Sequence, residues 1–504
     1  MNSRRTLWIL VFAAVFFGLI ALLTAVESAA ENATITSFPN ALWYTLTTLT
    51  TVGYGDCYPV TTAGRFIGGF FQLCSIGVLA AVISVLISAF RGTLLPYLQL
   101  SMLKKREWYI FTQRDKASKA LAVSLVGEDP SRVILFTGDN DDSTPGMRTT
   151  LSPERLIRMK GMQGILPLID TSGSYQPKQD AKNVYYYLQS SYEPKHLSDH
   201  IILFDPDEIL ARLYWQKYPA DLDGETIMII GSGRAAETLL EQALLVNVTG
   251  QGHFSYYVYG NYERFLRLHP RLSEFISLNQ NVGGKDALYI KEEGWDDDEY
   301  LLRNADRIIF LDENEKETNE RLTQFLRYFA AQGTIYGKTD SSFDGVIRFG
   351  STEEIYSSEY VLRTSLNRTA KLLHECYRRE TGGTAPSWNE LDSFKRRSNL
   401  ASADHLPTKI RLLLPDEDTS ELSQKIFARA YQAFEASDGE TRDLYRKIEH
   451  ERWSRFHYLH NWNYSPVRND DQRLHPCLVP YDKLSQADKE KDDYSWEVLR
   501  YLAK

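Results

Sequence analysis

The segment that decides the fold is TLTTVGYGD, residues 48–56. Its glycines, Gly53 and Gly55, can take positive φ angles that other residues resist. Uncharged runs of 20 and 25 residues lie on either side of it, at residues 7–26 and 66–90. At about 1.5 Å per residue, each run is long enough to span a hydrocarbon core of roughly 30 Å. We therefore predict two membrane-spanning helices with the glycine-containing segment between them.

Basic residues flank this two-span region on its outer ends. Arg4 and Arg5 precede the first run, and Arg91 follows the second. By the positive-inside rule, this pattern predicts a two-pass protein of the cell membrane with both termini in the cytoplasm. A secretory signal peptide is the alternative for residues 7–26, but the apolar core of a signal peptide has roughly 7 to 15 residues. The loop between the runs is partly apolar and aromatic, so we expect it to dip back into the lipid bilayer.

The same segment, placed between two spans and after an aromatic stretch at residues 39–44, resembles the signature of potassium channels. The resemblance implies a homotetramer, in which four chains surround a filter for potassium as the permeant ion. Backbone carbonyl oxygens in such a filter replace the hydration shell of the ion. The filter residues would be Thr51, Val52, Gly53, Tyr54 and Gly55, with potassium held at the first four of them.

Four further expectations concern this pore. Tyr54 should pack on aromatic side chains of the pore helix such as Trp43, and the Thr51 hydroxyl can be the innermost ligand of the ion. Gly77, in the middle of the second uncharged run, is either a gate hinge or a glycine that allows close helix packing. No arginine-rich helix precedes the pore, so voltage is not expected to be the main stimulus.

The remainder of the chain has the composition of globular domains. The 504 residues include 57 basic and 66 acidic side chains, and residues 1–100 contain only four and three of these. Residues 101–504 thus carry 53 basic and 63 acidic side chains, a net charge of −10, which argues against a nucleic acid partner. The four cysteines are far apart and show no metal-binding spacing, so we predict neither a disulfide framework nor a cysteine-based metal site.

Strands and helices alternate from about residue 108, which predicts α/β Rossmann-like tandem domains behind the α-helical pore. We place the pore domain at residues 1–95, a first Rossmann-like domain at 96–221 and a second at 222–365. The turn after the first strand, at residues 113–116, lacks glycine. We therefore do not expect the first domain to bind a dinucleotide in the usual way.

The second domain contains the pattern G-x-G-x-x-A between a predicted strand and a helix. Gly231, Ser232, Gly233 and Arg234 lie at this turn, where a helix N-terminus favours an anion such as the phosphate of a nucleotide. No acidic residue follows the next strand to bind a ribose hydroxyl, which weakens a prediction of NAD. The alternative is that the glycines only let the helix pack closely on the strand, and both interpretations stay open.

A two-span pore followed by two α/β units resembles ligand-gated potassium channels with tandem regulator-of-conductance domains. The resemblance implies a cytoplasmic ring that binds a small-molecule ligand. Calcium gates some members of that family through acidic clusters, and residues 296–299 form such a cluster. The same residues suit the start of a helix, where carboxylates are favoured. Because no D-x-D-x-D-G spacing is present, we do not expect calcium.

The C-terminal region, residues 366–504, is helical, and its blocks EHERW (449–453), NWNYSPVR (461–468) and LHPCLVPY (474–481) resemble the ryanodine-receptor repeat (RyR) domain. That family is implicated in adenine-nucleotide binding, so the resemblance implies a nucleotide-like ligand. Aromatic rings can stack on a base, and arginine or histidine can donate to phosphate. The candidate ligand-binding residues are Trp453, Trp462, Tyr464, Arg468 and His475. The alternative is that the aromatic residues form the core of a small domain.

These patterns predict a ligand-gated potassium channel rather than an enzyme, since no Walker loop, HExxH or GxSxG motif is present. Residues 91–105 would transmit the effect of the ligand to the pore. By family analogy alone, the channel would be a bacterial stress or phage-defence effector, with potassium homeostasis as the alternative. Two other functions stay open: a membrane-anchored nucleotide-processing enzyme, and a channel gated by protein contacts or calcium.

Overall fold

The computed structural model describes most of the chain in two compact units, residues 1–105 and 106–504. The residues it describes are 3–89, 98, 100, 102–103, 105–137, 147–148, 168–171, 184–187, 201–291, 294–380, 382–417 and 422–503. Most of the predicted transmission segment, residues 91–105, lies outside these ranges, as does the expected boundary between residues 95 and 96. The expected domain limits therefore stay predictions.

Three helices make up most of the described residues 3–89 of the first unit. They are Ser3–Glu27, Phe38–Leu49 and Thr62–Ala89. The short middle helix begins where Ser37 is extended and Pro39 occupies the first turn, a position that costs no helical hydrogen bond. Ile20, Tyr44 and Phe71 are among the buried side chains that hold the three helices together. By length and mean hydropathy, no helix among the described residues qualifies as a membrane span.

A buried carboxylate ties the end of the first helix to the start of the third. Glu27 is fully buried and accepts hydrogen bonds from the backbone N–H groups of Val60 (2.8 Å) and Thr61 (3.0 Å) and from the Thr61 hydroxyl. A Cβ atom on Gly64 would lie 1.9 Å from Glu27 Oε1. The carboxylate is therefore fully bonded, and only glycine fits beside it.

The first described sheet belongs to the unit 106–504 and is entirely parallel. Its strands are β1 (Trp108–Phe111), β2 (Val133–Phe136), β3 (Met147–Arg148), β4 (Leu168–Asp170), β5 (Val184–Tyr187) and β6 (Ile201–Phe204). Their order is β3-β2-β1-β4-β5-β6, so the direction of winding reverses between β1 and β4. The helices Lys116–Glu128 and Pro206–Lys217 follow β1 and β6, and Asp115 and Asp205 cap their N-termini.

The second sheet repeats this arrangement with one additional edge strand. Its strands are β7 (Thr226–Ile230), β8 (Ser255–Tyr259), β9 (Ser277–Leu278), β10 (Ala287–Lys291), β11 (Arg307–Phe310), β12 (Thr334–Lys338) and β13 (Val346–Phe349). The order is β13-β12-β11-β7-β8-β10-β9, and all neighbours are parallel. The prediction of doubly wound α/β sheets is confirmed.

Short helices connect and flank the second sheet. Those described are Arg234–Val246, Glu263–Leu268, Glu299–Asn304, Glu315–Tyr328, Thr352–Ile355 and Ser358–Val361, with 3-10 turns at Leu272–Glu274, Trp295–Asp297 and Ser365–Asn367. The longest of these helices bury one face on the sheet, through residues such as Leu240 and Leu322.

The C-terminal part is mostly helical, as the sequence predicts. Its helices are Arg368–Glu380, Ser393–Asp404, Leu406–Leu413, Gln424–Glu435, Gly439–Leu459, Gln486–Lys491, Tyr494–Glu497 and Leu499–Leu502. Short 3-10 turns lie at Trp388–Glu390 and Tyr481–Lys483, and β14 (Asn463–Tyr464) pairs with β15 (Leu474–His475). Ile410, Phe434 and Trp496 are central in its core.

Buried polar contacts join these helices to the helix Pro206–Lys217 and to the second sheet. Arg212 bonds Asp404 through Nε (2.8 Å) and Nη2 (2.9 Å), and Arg455 Nη1 lies 2.8 Å from Asp286 Oδ2. The ring of His405 lies 2.8 Å from the carbonyl oxygen of Val248. Because each of these groups is buried, the C-terminal helices are held in one position on the α/β region.

Candidate functional site

The segment 51–56 turns sharply after the short helix Phe38–Leu49. Gly53 has φ of 56° and Gly55 has φ of 77°, both in the left-handed region that favours glycine. The N–H groups of Val52 and Gly53 both donate to the carbonyl oxygen of Thr47, at 2.9 and 3.1 Å. The backbone of the expected filter is therefore anchored on the C-terminal turn of the helix that precedes it.

Aromatic stacking supports the same segment. The rings of Trp43 and Tyr54 are nearly parallel, with centroids 5.6 Å apart, as the sequence predicts. Trp43 Nε1 donates to Asp56 Oδ2 at 2.9 Å, so this indole holds both the middle and the end of the segment. Gly77 lies within the helix Thr62–Ala89, and no atom lies within 4 Å of a Cβ placed there. Its assignment as a hinge stays a prediction.

The glycine turn after β7 lies where the winding of the second sheet reverses. A Cβ on Gly231 would lie 1.6 Å from the carbonyl oxygen of Leu311, and a Cβ on Gly260 would lie 2.4 Å from that of Gly231. The glycines at this turn thus allow the ends of three parallel strands to meet. The close approach of the Leu311 backbone is enough to require glycine at position 231. This agrees with the alternative interpretation, in which the glycines serve close packing.

Polar groups at this turn already have partners in the chain. Ser232 N–H donates to Asp312 Oδ1 at 3.3 Å, and Arg234 forms ion pairs with Asp205 and Asp207. Burial and the neighbouring Glu208 raise the pKa of Asp205 to about 7, against the opposing effect of Arg234. Gly231, Ser232, Gly233 and Arg234 therefore lie together as predicted, but nucleotide binding at this turn stays a prediction.

We expect Gly231→Ala to destabilise the cytoplasmic unit strongly. The new Cβ would meet backbone rather than a movable side chain, so the ends of β7 and β11 would have to separate. Thermal unfolding of the purified chain followed by circular dichroism measures the change. Gly127→Ala is the matched control, because Gly127 is helical with open space at Cβ. Alanine there should raise the free energy of unfolding by at most about 1 kcal/mol. Equal midpoints for both variants would contradict the clash.

The acidic residues 296–299 form the start of a helix. Residues Trp295–Asp297 make a 3-10 turn and Glu299–Asn304 an α-helix, while Asp298 accepts a hydrogen bond from the Tyr259 hydroxyl and lies 3.4 Å from Lys291 Nζ. In the described ranges, no group of three or more histidine, cysteine or acidic side chains has the arrangement of a metal site. The cluster thus has the structural role that its sequence also suits.

The C-terminal helices enclose a cavity of about 650 Å³, a size typical of small-molecule sites. Four of the five predicted ligand residues line it: Trp453, Trp462, Arg468 and His475. The fifth, Tyr464, is not part of this lining and is 55 % exposed. The walls come from segments that are distant in sequence, since Phe394 of the helix Ser393–Asp404 stacks on Trp462 within the lining.

Aromatic and histidine rings make up one side of this cavity. Trp462 is stacked on Phe394, with ring centroids 4.9 Å apart. The ring centroid of Trp453 lies 3.9 Å from that of His457 and 4.9 Å from that of His475. Burial lowers the pKa of His457 to about 3 and that of His475 to about 4. Both imidazoles are therefore neutral at pH 7, and this wall offers flat uncharged faces suited to a heteroaromatic ring.

Charged residues also line the cavity, and sequence reasoning missed most of them. Arg452 and Asp492 line the cavity, whereas Arg468 at its edge is already paired with Asp470 at 2.7 and 3.2 Å. Helical spacing could have indicated Glu449, Arg452 and Trp453 as neighbours, because residues three and four apart share a helix face. No local signal could have indicated Phe394 or Asp492, which reach the site only through tertiary packing.

Comparisons with known proteins identify the two ends of the chain. Residues 6–92 match the family model described as "Ion channel", and residues 434–504 match that described as "RyR domain". The N-terminal segment is 39 % identical over 82 residues to the potassium voltage-gated channel protein Shal of Drosophila melanogaster, covering 16 % of this chain and 13 % of that protein. It is also 35 % identical over 91 residues to potassium voltage-gated channel subfamily A member 6 of Homo sapiens, covering 18 % and 17 %.

The N-terminal segment is thus similar to potassium channels and the C-terminal one to RyR domains, as the sequence motifs indicate. The chain spans only about a seventh of the length of these curated relatives. Both relatives are channels, which supports the expectation that this chain is not an enzyme. Because the shared part is short, the similarity extends to the pore segment and not to the rest of either relative.

A comparison with solved structures finds channel structures that resemble this chain only weakly. "Crystal structure of the GsuK bound to ADP" covers 72 % of this chain and all of that one, at 12 % identity and a TM-score of 0.30. "GsuK Channel" covers 71 % and 97 %, at 15 % identity and a TM-score of 0.29. At these scores the similarity supports no conclusion on the arrangement or ligand of this chain.

Proposed function

We propose that this chain forms a ligand-gated potassium channel in the cell membrane. Four copies would surround one pore, with the uncharged runs at residues 7–26 and 66–90 as the proposed membrane spans and both termini in the cytoplasm. The α/β sheets and the C-terminal cavity would sense a small, nucleotide-like molecule. Residues 91–105 would connect this sensor to the pore.

The observation that carries the channel proposal is the backbone of the segment 51–56. Positive φ angles at Gly53 and Gly55 give the backbone the freedom a carbonyl filter needs, and the Trp43 ring braces Tyr54 and Asp56. The match of residues 6–92 to an ion channel family independently supports the same function. Thr51, Val52, Gly53, Tyr54 and Gly55 are the proposed filter, and potassium is the proposed permeant ion.

The cavity between the C-terminal helices supports the ligand part of the proposal. Its aromatic wall offers stacking faces at Trp453 and Trp462, and Arg468 and His475 lie at the same opening. For gating, the ligand must bind the open and closed forms with different affinity. A difference of about 2.7 kcal/mol would change the ratio of open to closed forms roughly a hundredfold.

Potassium flux from liposomes that contain the full-length protein tests this function. Flux would be measured alone and with linear and cyclic nucleotides, NAD and calcium. We expect potassium-selective flux that changes with one class of nucleotide. Flux that is the same with every compound would contradict the nucleotide part of the proposal and favour gating by protein contacts. Absence of flux would favour a membrane-anchored enzyme.

We expect Trp453→Ala to weaken binding of the ligand identified by that panel. Loss of one base–aromatic stacking contact costs about 1 to 3 kcal/mol, which is roughly a 5- to 150-fold change in affinity. Isothermal titration calorimetry on the full-length protein measures it. The comparison variant is Tyr464→Ala, which changes an exposed aromatic residue outside the cavity lining. If both variants bind alike, Trp453 belongs to the core and not to the ligand site.

A further inference from the structure

A buried charge network includes Glu449 and Arg452, which line the same cavity as the aromatic rings. Lys409 Nζ lies 2.7 Å from Glu449 Oε2, and Arg452 Nη2 lies 2.7 Å from Glu449 Oε1. All three side chains are buried, and Lys409 also donates to the hydroxyl of Ser495 at 2.6 Å. Two cations thus share one carboxylate, so the network has one positive charge in excess.

This excess charge has an unused donor. Arg452 Nε and Nη2 both donate to Glu449, but Nη1 has no hydrogen-bond partner among the described residues and is shielded from solvent. The side chain is 2 % exposed and lines the cavity. A buried guanidinium nitrogen without an acceptor is costly, and such groups in native proteins call for an explanation.

A second buried donor faces the same cavity. Trp462 lines it and is 3 % exposed, and within the described ranges its Nε1 also lacks an acceptor. The ring is fixed by its stacking on Phe394, at 4.9 Å between centroids. Arg452 and Trp462, one charged and one neutral, therefore each have a buried N–H group without a hydrogen-bond acceptor among the described residues.

Acidic side chains of the lining do not supply that acceptor. Burial and the neighbouring carboxylates of Glu449 and Asp493 raise the pKa of Asp492 to about 8, against the opposing effect of Arg452 and Lys409. Asp492 is therefore largely protonated at neutral pH, and its Oδ2 has no hydrogen-bond partner in the described part of the chain. The other cations of the lining have their own carboxylates, since Arg468 pairs with Asp470 and Lys491 with Asp488.

We propose that this cavity takes a small molecule with an oxyanion, a phosphate ester or a carboxylate, bound at Arg452 Nη1 and Trp462 Nε1. A flat ring of the same molecule would lie against Trp453. As a gating ligand this molecule rests on the proposed function, but the oxyanion site itself does not. Arg452, and not the exposed Arg468, supplies the charge that selects the ligand.

Paired probes test the site on the full-length protein in lipid nanodiscs. The probes are AMP and GMP with their uncharged nucleosides, and calorimetry gives the dissociation constants. We expect at least one monophosphate to bind about tenfold or more tightly than its nucleoside, because a hydrogen bond to a charged group contributes about 1.5 to 3 kcal/mol. Arg452→Gln should remove this preference and leave nucleoside affinity within about twofold, since Lys409 still neutralises Glu449.

Two further variants keep the result interpretable. Arg446→Gln is the matched control, because Arg446 lies on the same helix, pairs with Asp493 and is outside the cavity lining, so the preference should persist. If Arg452→Gln does not fold, Trp462→Phe tests the second donor alone, since it keeps the stacking on Phe394. We expect it to weaken monophosphate binding several-fold more than nucleoside binding, because only the monophosphate uses the indole N–H.

Several outcomes would overturn the proposal. These are equal affinity of the wild type for monophosphate and nucleoside, no binding of any probe, and a preference that Arg468→Gln removes while Arg452→Gln keeps it. Potassium flux from liposomes made with the same preparation separates the two proposals. Flux without monophosphate binding rejects the oxyanion site and leaves the channel standing, whereas monophosphate binding without flux rejects only the channel.

Discussion

Gly55→Ala is expected to abolish potassium-selective flux from liposomes that contain the full-length protein. Gly55 has φ of 77°, where an L-residue pays roughly 1 to 2 kcal/mol. No atom lies within 4 Å of a Cβ placed there, so the cost comes from backbone conformation and not from a clash. If four chains form the pore, this conformational cost occurs four times, at one ring of carbonyl oxygens. The backbone can avoid the strain only if those carbonyl groups turn away from the ion.

The control for this experiment is Gly69→Ala. Gly69 also has open space where a methyl group would lie, but it is within the helix Thr62–Ala89, where alanine is favoured over glycine by roughly 1 kcal/mol. We expect Gly69→Ala to conduct potassium with unchanged selectivity over sodium. Selective flux retained by Gly55→Ala would reject the filter assignment, since the conducting backbone would then not depend on glycine at this position.

The sequence predicts the fold well where local chemistry decides it. Residues 226–230 are a continuous apolar run, which is typical of a parallel strand buried on both faces, and the structure places β7 there in the centre of the sheet. The stacking of Tyr54 on Trp43 follows from the resemblance to potassium channels, which implies that filter side chains point away from the pore and towards the pore helix.

The sequence predicts the cavity only in part, because its walls come from distant segments. Trp453 and His475 occur in recognisable blocks and indeed lie 4.9 Å apart between ring centroids. The unused donor of Arg452, however, depends on Lys409 taking the other side of Glu449, a contact across 40 residues. Whether a charged residue is paired is a tertiary property, and no motif reports it.

The buried pair of Arg212 and Asp404 should give the largest change in stability within the cytoplasmic unit. We expect Asp404→Ala to lower the free energy of unfolding by about 3 kcal/mol, because it removes one partner of a buried ion pair and leaves Arg212 with only the partly exposed Glu208, whose Oε1 lies 3.8 Å from Nη1. Arg212 would keep its bonds to Asn367 Oδ1 and to the Leu366 carbonyl, both 2.7 Å, but would have no carboxylate in direct hydrogen bond. Gln242, which donates to Asp404 at 3.0 Å, would also lose its acceptor.

Thermal unfolding of Asp404→Ala should be compared with that of Glu263→Ala at one heating rate. Glu263 pairs with Arg267 on an exposed helix, where such a pair contributes about 0.3 to 0.5 kcal/mol, so its midpoint should stay nearly unchanged. The helix that ends at Asp404 begins near Phe394, in the wall of the ligand cavity, and Arg212 lies on the helix after β6 of the first sheet. The pair therefore links the cavity to the domain nearest the pore in sequence. If both variants unfold at the same temperature, this link is loose, and a ligand in the cavity would need another route to the gate.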